Sequence, residues 1–475
     1  MKRGRGNISL PTYSNPRLSR EIDEGRTASV SVNSSSTGSS LARSGPIQPT
    51  TMTSASDRNI ASRPLGRELR IREAALLTFC DPVSEQSSKL YTLTPHEWQK
   101  LLHWLDISGL ALYFLDRITM LKLCDMFPQK VLARLRENLT DNIERTQGMV
   151  LESIKIQQEF QQIGLSYATI KGFSHPPDSV PRPELRQQFD LDFLIAERDA
   201  PRAQIILERM DYRLSDIKGK SWEFRTKQIP GLSTKDLYRD LPCRTVELHL
   251  EPDAPENGSL LARAEIRSWN GIDMPVLCAV DLFLGHGMNA FKDVYSEFFR
   301  ASRLLEFRRH VLARFDDADF WSALQSVGEV NEKYSLGLGI VIHLLTCVMG
   351  DFAPTNLTQW TADRLPFTVR VWIEMYGSRA VFGSFPGSKL FLLLRKELGA
   401  PSNAEGRPVW QFLLPLHRPS TVIERSENET FSMRIRRCRM QLQFVLSRMR
   451  FHAVEGTRYL WESYRWRQLM GQLSR

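Results

Sequence analysis

A run of alternating charged and apolar residues at positions 190–195, Asp-Leu-Asp-Phe-Leu-Ile, constrains the fold of this chain more than any other segment. It predicts a buried β-strand, because two carboxylates two residues apart lead into apolar side chains. Side chains alternate between the faces of a strand, so Asp190 and Asp192 project from one face, roughly 7 Å apart. Two like charges this close are commonly stabilised by a divalent cation. The strand therefore predicts a metal site on a sheet.

The positive charge of the chain is concentrated at its two ends. The chain has 475 residues, a formal net charge of +9 and 42% hydrophobic residues, enough for two or three domains. Residues 1–67 hold ten Lys or Arg against four Asp or Glu, and residues 431–475 hold ten Arg against two Glu. The part between them is net acidic, which argues against a wholly basic nucleic-acid-binding surface.

Cysteine spacing and hydropathy indicate a cytoplasmic protein. The six cysteines form no C-x-x-C pair, which favours free thiols in a reducing compartment over a disulfide framework or a zinc site. The longest apolar run, residues 336–349, is interrupted by glycines and contains His343, so it predicts a buried helix instead of a membrane span. No apolar segment follows the basic N-terminus, and we expect no secretory signal.

Composition and periodicity divide the chain into five regions and predict an α+β fold, with a small mixed-sheet core embedded in a mostly helical protein. The first region is rich in Ser and Arg and cannot bury enough apolar surface to offset chain ordering, so it is predicted to be disordered. The regions are a disordered basic tail (1–67), an N-terminal helical region (68–163), the α+β core (164–275), a helical region (276–359) and a C-terminal helical region ending in a basic helix (360–475).

Local signals predict several elements within these regions. Thr94, Pro95 and Glu97 have the pattern of an N-cap, a first-turn proline and a capping-box glutamate. A long helix is expected over 129–163, ending at Gly164. Strands are expected at 166–170, 221–225 and 245–250, and an amphipathic helix at 200–210.

Four residues near the paired aspartates are candidates for phosphate binding. Gly172 follows a predicted strand, where glycine lets the backbone approach a phosphate, and Ser174 can donate to it. Lys171 either binds a phosphate or caps the strand end. Arg186 lies four residues before Asp190, where a guanidinium can clamp phosphate oxygens.

A second strand supplies a candidate third carboxylate. Residues 246–250 place Glu247 and His249 two apart on one face. Glu247 either lies beside the two aspartates or faces water, and His249 is expected to support the site instead of acting as a ligand. Three carboxylates on adjacent strands can hold two Mg²⁺ ions.

The order of these motifs resembles a bacterial nucleotidyltransferase-like family of uncharacterised proteins within the polymerase-beta-type nucleotidyltransferase superfamily. The resemblance covers roughly residues 75–350. It depends on these segments: Lys-Gly at 171–172, Arg186 before the Asp-x-Asp strand, the helix end at 207–212, Glu-Leu-His at 247–249, and the helical stretches 275–287 and 303–306.

The resemblance implies Mg²⁺-requiring, NTP-dependent transfer of a nucleotidyl group. It makes Asp190 and Asp192 the metal-binding pair and Glu247 the third carboxylate, and it places Gly172 and Ser174 where the superfamily has a phosphate-binding turn. We therefore predict transfer of an NMP from an NTP, with ATP as first candidate, to a hydroxyl acceptor. The sequence does not distinguish among a small molecule, a saccharide, a protein and RNA as the acceptor.

Two other functions fit the same residues. A non-catalytic member of the fold would bind a nucleotide without turnover. Alternatively, an interaction protein would use the helical regions and the basic helix at 431–475, whose arginines and aromatic residues suit RNA, an acidic membrane or another anionic partner. A solvated basic face with its aromatic residues packed on the body would have the same sequence.

Overall fold

A computed structural model describes residues 65–226, 236–241, 243–253, 258–399, 409–414 and 430–473. The tail predicted to be disordered lies outside the described residues as far as residue 64. The α-helices are α1 (Arg67–Leu77), α2 (Pro95–Ser108), α3 (Ala111–Met120), α4 (Gln129–Gln162), α5 (Ala200–Arg209), α6 (Ala279–Val294), α7 (Ala301–Leu312), α8 (Ala318–Gly328), α9 (Glu332–Met349), α10 (Thr355–Thr358), α11 (Phe367–Trp372), α12 (Ser378–Val381), α13 (Phe391–Glu397), α14 (Val409–Leu413) and α15 (Phe431–Leu473).

In the part of the chain that the structure describes, seven strands form one mixed sheet. They are β1 (Tyr167–Thr169), β2 (Asp190–Ala196), β3 (Arg213–Lys218), β4 (Ser221–Arg225), β5 (Thr245–Glu251), β6 (Glu265–Trp269) and β7 (Ile272–Val276). Their order across the sheet is β3-β4-β5-β2-β1-β7-β6. The central strand β2 pairs in parallel with β5 and antiparallel with β1. A mixed sheet within a mostly helical chain confirms the predicted α+β fold class.

The strongest local signals are confirmed in detail. Thr94 caps α2 in a reciprocal capping box with Glu97, and Pro95 is the first helical residue. Helix α4 runs from Gln129 to Gln162, and Gly164 follows it with φ of +65°. The predicted strands at 166–170, 221–225 and 245–250 correspond to β1, β4 and β5. The sequence pattern did not predict strands β3, β6 and β7, because these segments carry fewer alternating apolar residues.

One face of β2 packs against helices, as its alternation predicts. Leu191, Phe193 and Ile195 are buried in a core with Phe160 of α4 and Leu207 of α5. The opposite face carries Asp192, which is only 4% exposed although it is a carboxylate. Burial of that charge requires partners. These are His249 on β5 and Lys171, which follows β1.

A larger core joins the N-terminal helices to those after residue 276. Trp104 of α2, Phe283 of α6 and Leu344 of α9 belong to it, as do Tyr459 and Trp466 of α15. The region boundaries expected at 163, 275 and 359 remain predictions. Among the described residues, helix α9 is long and apolar enough to cross a membrane, and 56% of that stretch is buried inside the structure.

Candidate functional site

The parallel pairing of β2 with β5 brings the polar side chains of the two strands together. Asp192 lies opposite Glu247 in the register, and the next residue on that face of β5 is His249. His249 Nε2 lies 2.9 Å from Asp192 Oδ1 and 3.4 Å from Glu247 Oε2. Ser221, on β4, donates a hydrogen bond to Glu247. The sheet register therefore collects an acidic cluster around one imidazole.

Three of these groups are arranged as metal ligands. One ligand atom each from Asp192, Glu247 and His249 lies within 4.8 Å of the others. Asp190 lines the same cleft but is not one of this set. Of the predicted trio Asp190, Asp192 and Glu247, the structure thus brings the last two together and adds His249, which was expected in a supporting role.

Lys171 also lies within the acidic cluster. Its Nζ donates to Asp192 Oδ1 at 2.6 Å and lies 3.7 Å from Glu247 Oε2. The same Nζ is 3.1 Å from His249 Nε2. Its backbone has φ of +56° and ψ of −160°, a region that residues other than glycine rarely adopt. The surrounding contacts hold this strained residue with its ammonium group on the carboxylates.

The turn after Lys171 is packed into the protein. Gly172 has φ of +41°, and a Cβ there would lie 2.3 Å from Gln188 Nε2. Ser174 is fully buried, and its Oγ donates to the carbonyl oxygen of Lys171 at 2.7 Å. Neither residue is among those that line the cleft. Their predicted role in nucleotide binding remains a prediction.

Arg186 reaches the cleft through a buried network. Its Nε donates to Glu306 Oε2 at 3.3 Å, and the hydroxyl of Tyr113 donates to Glu306 Oε1 at 2.9 Å. Because Glu306 is only 2% exposed, this arginine neutralises a buried charge in addition to facing the cleft.

The cluster shifts the pKa values of its members. The hydrogen bond with His249 is the main reason why the pKa of Glu247 lies far below its usual range. Burial lowers the pKa of His249, but the hydrogen bonds to Asp192 and Glu247 outweigh it and raise that pKa. Burial and the charge of Asp192 raise the pKa of Asp190 to about 6. His249 is therefore protonated more readily than an ordinary histidine, as expected between two carboxylates.

Helices α6 and α7 form the opposite side of a cleft of about 250 Å³. Sequence reasoning did not assign these residues to the site, although part of this segment contributed to the family resemblance. The signal available in the sequence was the group of basic residues Lys292, Arg300 and Arg303. The lining residues from this side are His286, Asn289, Lys292, Arg300, Arg303 and Glu306.

The basic C-terminal helix extends from the body. Most side chains of residues 431–454 are exposed, and the buried residues of α15 begin at Glu455. Trp466 is buried and donates to Glu397 Oε1 at 2.8 Å, whereas Trp461 and Tyr464 are more than half exposed. The packing expected of the aromatic residues thus holds for only one of these three, and an anionic partner for this helix remains a prediction.

Comparison with known proteins identifies the family. Residues 94–339, just over half of the chain, match a family described as uncharacterised nucleotidyltransferases. The chain belongs to this family, which confirms that part of the resemblance found in its motifs. The bacterial origin and the polymerase-beta-type superfamily assigned to that family stay predictions.

One solved structure shows a weak likeness. It is the crystal structure of an antigenic nucleotidyltransferase-like protein from Paracoccidioides brasiliensis, with 15% identity and a TM-score of 0.25 over 41% of this chain and 92% of that chain. Comparison with curated proteins gave no match.

Proposed function

We propose that this chain is an Mg²⁺-dependent nucleotidyltransferase that moves an NMP from an NTP to a hydroxyl acceptor. The observation that carries the proposal is the in-register pairing of β2 with β5, which assembles Asp192, Glu247 and His249 beside Asp190. Family membership supports the reaction class. All six cysteines are free, in keeping with the cytoplasmic location we propose.

The donor set fits a divalent cation. Asp192, Glu247 and His249 would hold it, with Asp190 on the same face of β2. Carboxylate oxygens suit Mg²⁺ or Mn²⁺, and the imidazole nitrogen adds affinity for Mn²⁺. A bound cation neutralises phosphate charge and activates the attacking hydroxyl. His249 must lose any proton on its ligating nitrogen before it can serve as a ligand, so cation binding releases protons.

The residues of the chain position the transfer step. The acceptor oxygen forms a bond to the α-phosphorus, and the bond from that phosphorus to the oxygen bridging to the β-phosphorus breaks, so that pyrophosphate leaves. Asp190, which lies outside the tight ligand set, accepts the hydroxyl proton. Arg186 supplies fixed positive charge near the reacting phosphates, and the ammonium group of Lys171, released from Asp192 when the cation binds, supplies a second positive charge there. Positioning and preorganised charge supply most of the rate enhancement in reactions of this kind.

The test is pyrophosphate release from each NTP in the presence of Mg²⁺ and cell extract, with α-labelled nucleotide to trace the acceptor. We expect Asp192→Asn and Glu247→Gln to lower turnover by at least a hundredfold while the protein stays folded. Asp253→Asn and Glu208→Gln, on the surface away from the cleft, are matched controls and should retain turnover.

Two outcomes would contradict the proposal. Turnover that is unchanged in Asp192→Asn and Glu247→Gln would exclude these carboxylates from the mechanism. Binding of a non-hydrolysable NTP with Mg²⁺, without release of pyrophosphate from any NTP, would favour the non-catalytic alternative.

A further inference from the structure

The two sides of the cleft carry opposite charge. The sheet side presents Asp190, Asp192 and Glu247. The helical side, including the loop before β2, presents four cations that line the same cleft: Arg186, Lys292, Arg300 and Arg303. This second group is called the basic wall below.

Half of the basic wall has a carboxylate partner. Arg186 pairs with Glu306 at 3.3 Å, and Arg303 Nη1 donates to Asp293 Oδ1 at 2.7 Å. Within the part of the chain that the structure describes, Lys292 forms no ion pair. Arg186 and Arg303, whose charges are balanced by these carboxylates, need no further anion.

Arg300 lines the cleft, and no carboxylate among the described residues forms an ion pair with its guanidinium group. Its Cζ lies 5.5 Å from the centre of the Phe189 ring, and Arg145 lies against the same ring at 4.4 Å. Stacking on an aromatic ring positions a guanidinium while leaving its N–H groups free to donate. Arg300 is therefore oriented for an acceptor that the protein does not provide.

The grouping has an electrostatic cost. Burial is the main cause that lowers the pKa of Arg300, and the like charges of Arg303 and Arg186 lower it further. Three guanidinium groups at one cleft are tolerated most readily when an anion occupies the space between them. Across the cleft, Asp192 and Glu247 are already engaged by Lys171 and His249.

We propose that Lys292 and Arg300, the two cations of the basic wall that have no carboxylate partner among the described residues, bind the β- and γ-phosphates of the NTP, opposite the metal-binding carboxylates. The assignment rests on the proposed function and refines it. The polyphosphate is thereby assigned to the basic wall, which lines the cleft. The turn at Gly172 and Ser174, where the sequence placed it, does not line the cleft. Arg guanidinium groups are suited to phosphate because their paired N–H groups match its oxygens.

The test uses inorganic tripolyphosphate as the probe, titrated into the full-length protein by calorimetry. We expect binding by the wild type, and about tenfold weaker binding for Arg300→Gln and for Lys292→Gln. Arg209→Gln and Lys333→Gln, at exposed positions outside the cleft, should bind as the wild type does. Arg300→Lys keeps the charge and should lose less affinity than Arg300→Gln, and circular dichroism verifies that each variant is folded.

Several outcomes would overturn the assignment. They are the absence of tripolyphosphate binding by the wild type, or an unchanged affinity in the Arg300→Gln/Lys292→Gln double variant. Inorganic phosphate that binds as tightly as tripolyphosphate would also overturn it, since a phosphorylated acceptor would then be the better occupant.

The experiment separates this inference from the proposed function. If Asp192→Asn abolishes turnover but the basic-wall variants bind tripolyphosphate normally, the assignment of the phosphates fails alone. If the variants lose tripolyphosphate binding while the protein transfers no nucleotide, the anion site is retained and the transferase proposal fails.

Discussion

The Nζ of Lys171 lies 2.6 Å from Oδ1 of Asp192, at the point where the carboxylate would meet a metal ion. The same ammonium group is 3.7 Å from Glu247 Oε2. A lysine so placed compensates the acidic cluster and must give way when a divalent cation binds. The lysine and the metal therefore compete for one carboxylate.

This competition predicts the effect of Lys171→Met. Because the variant lacks the competing cation, we expect Mg²⁺ or Mn²⁺ to bind about tenfold more tightly, which corresponds to about 1.4 kcal/mol. Calorimetric titration measures the change, and Lys220→Met, an exposed lysine on the β3–β4 turn, serves as the control. Weaker cation binding by Lys171→Met would show that the lysine does not compete with the ion.

Substitutions at two glycines, Gly172 and Gly285, are expected to have opposite effects on stability. Gly172 lies in the turn after Lys171. In Gly172→Ala the new Cβ would displace Gln188 Nε2, which donates to the carbonyl oxygen of Asp190 at 3.0 Å, and the residue would keep a positive φ. We expect a loss of about 1–2 kcal/mol in the free energy of unfolding.

Gly285 provides the contrast in the same denaturant titration. It is exposed on α6, and an added Cβ meets nothing within 4 Å. Alanine there should stabilise the protein by about 0.5–1 kcal/mol, because alanine favours a helix more than glycine does. Equal effects of the two substitutions would contradict the strained turn.

The buried pair between Arg186 and Glu306 predicts a large cost for Arg186→Met. Among the described residues, Glu306 would keep only the Tyr113 hydroxyl as a hydrogen-bond partner, so we expect a loss of about 3 kcal/mol in the free energy of unfolding. Adding Glu306→Gln should restore part of that loss, because no buried charge is then left unpaired.

The control is a surface pair of the same chemistry. Arg182 donates to Asp116 at 2.7 Å and is 57% exposed. Arg182→Met should change the stability by no more than about 0.5 kcal/mol. A small effect of Arg186→Met would contradict the stabilising role of this buried pair.

A cluster of three buried histidines, two of which line the cleft, predicts a dependence of stability on pH. The rings of His175 and His286 lie 4.5 Å apart, and His286 Nδ1 lies 3.4 Å from His310 Nδ1. Burial and the charges of Arg186 and Arg303 lower the pKa of His286 to about 3. Burial and the neighbouring His286 lower that of His310 to about 3.

The sign of the effect follows from proton binding. In the unfolded chain each histidine takes up a proton near pH 6.5, whereas in the folded protein it stays neutral down to about pH 3. The free energy of unfolding is therefore highest above pH 6.5. It falls on acidification by about 1.4 kcal/mol per pH unit for each histidine. Denaturant unfolding between pH 7 and 5 should show a shallower slope for His310→Asn, and an unchanged slope for His96→Asn at an exposed position. An identical slope in His310→Asn would refute this account.

Local sequence was sufficient for several parts of the fold and site. The alternation at 190–195 predicts β2, because the two-residue period depends only on neighbouring residues. The capping pattern at Thr94 predicts the start of α2 for the same reason, since its hydrogen bonds span three residues. Asp190, Asp192 and Glu247 were predicted as site residues from spacing and motif order. All three line one cleft, and their catalytic role remains a prediction.

Tertiary structure decided which groups meet. The position of His249 beside Asp192 and Glu247 depends on the pairing of β2 with β5, whose residues are more than 50 positions apart in the chain. The direction of the Ser174 hydroxyl depends on the packing of its turn, and the basic wall depends on how α6 and α7 lie against the sheet. Strand register and helix packing arise from long-range burial of apolar surface, which leaves no local period to detect. The sequence alone therefore identifies a strand with two carboxylates, while the folded chain determines their partners and the opposing cations.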